Sequence, residues 1–166
     1  HHINSVLRLT NLKNIYIFIE KPLDSSLKNY NQFLKHLRKN KINVFVGYNM
    51  RFHPGYIKLK NILRNGKVVR NVRYAIYKFS ENLKDYHNYE NYKTSYAARR
   101  ELGGGVCLTS IHEIDMMLDL FGNAKLLRSH CDNLSSLKLN VEDFFLSFFK
   151  NFLFKKKVIS LIILDF

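Results

Sequence analysis

Acidic side chains are scarce in the first half of this chain. Residues 1–80 contain only Glu20 and Asp24 against 16 Lys and Arg, whereas residues 81–166 hold 11 of each sign. The formal charge of +14 therefore sits entirely in the first half. Cysteine is nearly absent. Cys107 and Cys131 make neither a disulfide framework nor a zinc site, and they read as buried or half-buried thiols of a reducing, cytoplasmic setting. Long apolar runs are missing too. The longest, Val158 to Leu164, is interrupted by Ser160 and has the length of a strand, far below the ~20 residues of a membrane span. The first twenty residues lack the basic, apolar and small-residue succession of a signal peptide. Among the seven glycines no Gly-x-Gly-x-x-Gly run occurs.

What is present is apolar and aromatic. Hydrophobic residues make up 46% of the 166, which argues for a globular chain with a real core rather than a disordered one. The basic first half invites a nucleic-acid reading. Lys28, Lys35, Arg38, Lys39 and Lys41 equally suit the solvated face of a helix, and no recognition motif accompanies the charge. Nucleic-acid binding is therefore kept only as an alternative.

Along the chain, Ser5 to Leu12 reads as the end of a helix and Ile15 to Ile19 as a buried strand. Asp24 and Ser25 are N-cap candidates for a helix to about Lys39, with Leu27, Tyr30, Leu34 and Leu37 as its apolar stripe. Ile42 to Val46 is the next strand, so a βαβ unit with parallel pairing is expected. A helix from about Pro54 to Asn65 follows, with Ile57, Leu59, Ile62 and Leu63 as core candidates and Gly66 as C-cap. Val68 to Phe79 reads as a long strand, and residues 80–102 as a long Tyr- and Asn-rich connection. Gly103 to Phe121 contains a helix ended by Gly122. Leu126 to Leu137, Val141 to Phe149 and Val158 to Asp165 read as strands. The expected fold is α/β plus α+β. Residues 1–50 form the C-terminal edge of a Rossmann-type βαβ domain, and residues 51–166 a mostly antiparallel open sheet with helices on one face.

Three segments carry chemistry. Glu20-Lys21-Pro22 ends a predicted parallel strand, where open α/β sheets bind ligands, and the lysine there suits a developing alkoxide. Alone, the tripeptide is an ordinary turn. His112 follows Gly103-Gly104-Gly105 on a helix, with Asp115 three residues on along the same face. An imidazole titrating near neutrality suits proton transfer. A lone histidine is more often a core or capping residue, but the triple glycine points to close backbone approach to something. His112 and Asp115 have no third partner at a metal-ligand spacing, so no metal site is read. Asp85-Tyr86-His87-Asn88-Tyr89-Glu90-Asn91-Tyr92 mixes rings with hydrogen-bonding groups, as a sugar pocket does, or else is a solvated loop.

Taken in order, Ile17 to Leu23, Val44 to Pro54, Gly66-Lys67-Val68, Asp85 to Arg100, Gly103 to Asp115, Val141-Glu142-Asp143 and Leu164-Asp165-Phe166 resemble the Gfo/Idh/MocA family of oxidoreductases. The likeness is strongest to members near sialic-acid and surface-sugar pathways. The resemblance implies a cytoplasmic NAD(P)-dependent dehydrogenase transferring hydride to or from a sugar or polyol carbon. Lys21 and His112 would be catalytic, and Glu20, Lys21, Pro22 and Arg51 would line the cofactor side. Tyr86, His87, Thr109 and Asp115 would lie on the substrate side. It further implies NAD or NADP as cofactor, a small-molecule sugar or polyol substrate, and a homo-oligomer formed through the sheet. Family enzymes commonly carry an aspartate three or four residues before the histidine, where this chain has Thr109 and Leu108. The family's first-strand glycine fingerprint is missing, so the chain is expected to be N-terminally truncated, starting internally at His1, and to bind dinucleotide weakly by itself. A non-enzymatic remnant acting through subunit association is the other alternative.

Overall fold

The computed structural model describes residues 2–87, 89–153 and 156–166, and the chain divides into two compact units, His1–Tyr48 and Asn49–Phe166. Asn88, in the middle of the aromatic run, lies outside the described residues.

In the first unit, helix α1 spans His2–Leu7, strand β1 Tyr16–Ile19, helix α2 Tyr30–Asn40 and strand β2 Asn43–Val46. β1 and β2 pair in parallel, Tyr16 opposite Asn43 through Ile19 opposite Val46, so the βαβ expectation holds. The helix expected at Ser5 to Leu12 instead ends at Leu7. α2 starts later than expected because Asp24 does not cap it. The Asp24 carboxylate accepts from the Ile3 and Ser25 amides, and Asn29 takes the left-handed conformation that opens the helix. Leu27, before that turn, is 82% exposed, and Phe33 takes the buried place, packing with Ile3, Val6 and Ile19. β1 is buried on one face only. Ile17 and Ile19 meet the helices, while Tyr16 and Phe18 stand out on the other face, with Tyr16 stacked on Phe45 at 6.1 Å.

In the second unit, a 3-10 turn Asn49–Phe52 leads into α3, Pro54–Asn65. The α3 bounds follow from its caps. His53 accepts from the Gly55 amide, Pro54 needs no intrahelical donor, and Gly66 closes the helix in the left-handed region. Its buried residue is Tyr56, whereas the expected core residues Ile57 and Leu59 are exposed. A four-stranded sheet follows, ordered β3–β6–β5–β4, with β3 Tyr74–Ser80, β4 Ala124–Asp132, β5 Phe144–Leu153 and β6 Lys156–Asp165. β3 and β6 run parallel and the other pairs antiparallel. The long strand expected from Val68 begins only at Tyr74, where pairing with Ile159 becomes available. β4 carries a bulge between Leu126 and Arg128 and ends at Asp132, because the Asp143 carboxylate gathers the Leu134 and Ser135 amides into a turn.

Short helices α4 (Leu83–Tyr86) and α5 (Val106–Thr109) and the longer α6 (His112–Phe121) cover the inner sheet face. Leu83, Val106, Met117, Phe145, Ile162 and Leu164 form the centre of that core. Two buried polar side chains tie sheet to helix: the Ser160 hydroxyl donates to Asn151 Oδ1 (2.8 Å), and Asn151 Nδ2 donates to the Gly122 carbonyl (3.2 Å) just past α6. Cys107 is half-buried, and burial, helped by Glu142, pushes its thiol up to about 12. Cys131, expected to be at least half-buried, is exposed because β4 is an edge strand with no layer over it.

Candidate functional site

Lys21 belongs to the first unit. It stands two residues past β1, half-buried, with exposed Glu20 before it and a cis peptide bond joining it to Pro22. Both parallel strands end here, since the Gly47 amide after β2 donates to the Ile19 carbonyl at 2.7 Å. The Glu20-Lys21-Pro22 turn therefore occupies the strand-end position expected for ligand contact.

The second unit holds the other candidates. His112 is the first residue of α6 and is half-buried. The single helix expected from Gly103 is broken. α5 ends at Thr109, Ser110 leaves helical geometry (φ −99°, ψ 37°), and α6 restarts at His112. Thr109 is buried, at the end of the preceding helix. The close approach read into the triple glycine is to the chain itself. A side chain at Gly104 would run into the carbonyls of Tyr96 and Ala97, and one at Gly105 (φ +105°) into the Glu142 carboxylate. Glu142 also receives the Cys107 amide at 3.3 Å, and its carbonyl receives the Val106 amide, so the glycines seat the start of α5 on the segment before β5.

Arg51 and Asp115 are brought together. Arg51 Nε donates to Asp115 Oδ2 (2.7 Å) and Nη2 to Oδ1 (2.6 Å), a two-pronged pair whose carboxylate is only 6% exposed. The Asp115 hydrogen bond raises the guanidinium pKa further. One turn on, Asp119 accepts from Tyr56 Oη (2.7 Å) and Lys60 Nζ. Burial pushes the Asp119 carboxyl up, but the bonds from Lys60 and Tyr56 outweigh it and hold the group below its ordinary value. Tyr56 is itself raised, by burial first and Asp119 second. The face of α6 below His112 is thus riveted to Arg51 and α3. Reading the sequence missed this network. Its signal was the i, i+4 spacing of Asp115 with Asp119 and of Tyr56 with Lys60.

Tyr86 and His87 stand on the α4 segment, both half-buried. Their rings stand 4.4 Å apart, with Tyr89 4.9 Å beyond, and His87 Nδ1 meets Glu90 at 2.6 Å. The His87 hydrogen bond holds the Glu90 carboxyl below its usual value. This is a short ladder of rings able to stack on a flat or ring-shaped ligand. Among the described residues no group of three His, Cys, Asp or Glu side chains could hold a metal ion, and no helix is long and apolar enough to cross a membrane.

No family model matches the chain. In sequence it is similar to the uncharacterized oxidoreductase YrbE of Bacillus subtilis, 31% identical over 108 residues, which is 65% of this chain and 29% of that protein. In structure it is similar to the WlbA dehydrogenase from Bordetella pertussis, solved with NADH and UDP-GlcNAcA, at a TM-score of 0.75 and 14% identity, covering 99% of this chain and 48% of that one. Similarity to myo-inositol 2-dehydrogenase from Lactobacillus plantarum gives the same TM-score of 0.75 at 18% identity, covering 99% and 47%. The chain thus has the fold of Gfo/Idh/MocA-type oxidoreductases, as its motif order suggested, and spans about half the length of these structures.

Proposed function

We propose that this chain belongs to the Gfo/Idh/MocA oxidoreductases and carries the part of such an enzyme that meets the nicotinamide and the reacting carbon of a sugar or polyol derivative. The observation that carries the reading is the sequence similarity to an oxidoreductase over 108 residues, in a chain with a dehydrogenase fold. NAD or NADP would supply the hydride acceptor or donor. The residues present fit its nicotinamide end, because Lys21 stands where a parallel pair ends, and no glycine-rich phosphate loop occurs in these 166 residues. Lys21 donates to the substrate oxygen and lowers the cost of negative charge there, with Glu20 and Pro22 shaping the cofactor side. His112 takes the hydroxyl proton. Tyr86 and His87 stack on the sugar ring. Thr109 supports the substrate side, and Arg51 and Asp115 act by fixing the helix that bears His112.

Titration of the purified chain with NADH, followed by nicotinamide fluorescence, should give a dissociation constant weaker than about 1 mM, since phosphate contacts supply much of dinucleotide affinity. Saturable micromolar binding would contradict that assignment of contacts. Supplied with a dinucleotide-binding half, the chain should gain hydride transfer that Lys21→Ala or His112→Ala lowers about 100-fold or more. Unaltered turnover in both variants would defeat the reading.

The same reading includes self-association through the outer sheet face. Tyr74, Ile76, Phe148, Phe152 and Ile159 are all exposed on the side away from the helices. Lys78, Lys150 and Lys157 share that face, and the exposed apolar side chains between them favour pairing with a second copy. Sedimentation should show dimers or larger species that Ile76→Lys disperses, and a clean monomer at high concentration would count against it.

A further inference from the structure

The Tyr86–His87–Tyr89 ladder also has an edge. His87 Nδ1 meets Glu90 Oε1 at 2.6 Å, and that bond is the first cause holding the Glu90 carboxyl below its ordinary value. A carboxylate has no hydrogen to give, so Nδ1 carries the hydrogen and donates. A neutral imidazole carries only one, so the lone pair of Nε2 is left as an acceptor. Among the described residues Nε2 has no hydrogen-bond partner, and it is open to solvent in a side chain 27% exposed. The Tyr86 and Tyr89 rings, 4.4 and 4.9 Å away, restrain the imidazole from turning over to present its other nitrogen. An ion pair this exposed adds little to stability. The effect of Glu90 is on the ring: it settles which nitrogen faces a ligand, as a carboxylate behind a functional histidine does. Tyr89, 82% exposed, leaves an aromatic face open next to that acceptor.

We propose that Glu90 is a positioning residue that fixes His87 as a hydrogen-bond acceptor, and that Nε2 selects a ligand carrying a hydroxyl beside a ring. A carboxylate or phosphate brings no hydrogen to this edge and is not selected by it. The proposal rests on the reading that puts His87 against the sugar, and it names what His87 recognises there. Nitrogen NMR of the isotopically labelled chain at about pH 9, where an imidazole is neutral, tests it. The His87 signals, identified by their loss in His87→Gln, should show Nδ1 protonated and Nε2 bare. Glu90→Gln keeps an acceptor oxygen and should keep that pattern, whereas Glu90→Leu should let the hydrogen move to Nε2. Titration with myo-inositol should shift the Nε2 signal saturably in the unaltered chain and in Glu90→Gln, and bind about threefold more weakly or worse in Glu90→Leu. Cyclohexane carboxylate, a ring without a hydroxyl, should leave that signal in place. The tautomer needs no dinucleotide and no turnover. Unaltered turnover in the Lys21 and His112 variants would therefore defeat the hydride-transfer reading and leave this result standing. An unchanged tautomer in Glu90→Leu, or an Nε2 signal that inositol moves no more than cyclohexane carboxylate does, would overturn the proposal.

Discussion

Arg51→Ala is expected to lower the unfolding free energy by about 2–3 kcal/mol, the cost of leaving a buried carboxylate without its charged hydrogen-bond partner. Asp115 is 6% exposed, and both its oxygens face the guanidinium at 2.6 and 2.7 Å. The loss stays below the upper range for buried pairs because the Arg51 side chain is 42% exposed and water can partly replace it. Arg51→Lys should recover less than half, since an ammonium cannot present two parallel donors. In a urea-unfolding cycle, Arg51→Ala combined with Asp115→Ala should cost less than the two single losses added together. A loss for Arg51→Ala within about 0.5 kcal/mol, the range of ordinary surface changes, would mean that the pair does not fasten α6. The same pair matters for chemistry because Asp115 lies in the first turn of the helix that begins at His112.

Much of this architecture was legible because local signals and tertiary demands agree. Pro54 and Gly66 bracket α3 by their backbone preferences alone, and the helix has those bounds. The β1–α2–β2 unit showed in two short apolar runs around an amphipathic segment. Burial inside the elements was less legible. Periodicity marks apolar positions, but which of them is covered depends on what packs there. Phe33 and Tyr56 are buried while Leu27, Ile57 and Leu59 are exposed. Strand ends failed where side chains intervene, as at Asp143, whose carboxylate turns the chain after β4. Of the candidate residues, Lys21 stands at the strand end where its motif puts it, whereas His112 opens α6 instead of continuing a helix begun at the triple glycine. The mutual capture of Arg51 and Asp115 spans 64 residues, and no spacing rule reaches that far. The glycines signalled close approach, yet sequence alone did not say that the groups approached are the chain's own, the backbone of Tyr96 and Ala97 at Gly104 and the Glu142 carboxylate at Gly105.

That backbone contact gives the largest expected effect. Gly104→Ala should destabilise the second unit by about 3 kcal/mol or more, at or beyond the usual range for overpacking, because the obstacle is main chain and cannot rotate aside. An added methyl would lie 2.8 Å from the Ala97 carbonyl carbon and closer still to the carbonyl oxygens of Tyr96 and Ala97. Nor can that segment retreat. Ala97 and Ala98 are buried in the core, and the Ala97 carbonyl receives the Gly105 amide at 2.9 Å. Gly66→Ala separates space from conformation. Gly66 has φ +64° but nothing within 4 Å of the added methyl. It should therefore cost only about 1 kcal/mol, the penalty of the left-handed region itself. Urea unfolding followed by far-ultraviolet circular dichroism measures both. If Gly104→Ala proves no worse than Gly66→Ala, the close packing of the glycine segment on Tyr96 and Ala97 is not what holds the start of α5. Losses in the expected order would identify tight backbone packing, rather than a need for flexibility, as the reason glycine stands at 104, while Gly103 (φ +81°) and Gly105 (φ +105°) answer to their positive φ.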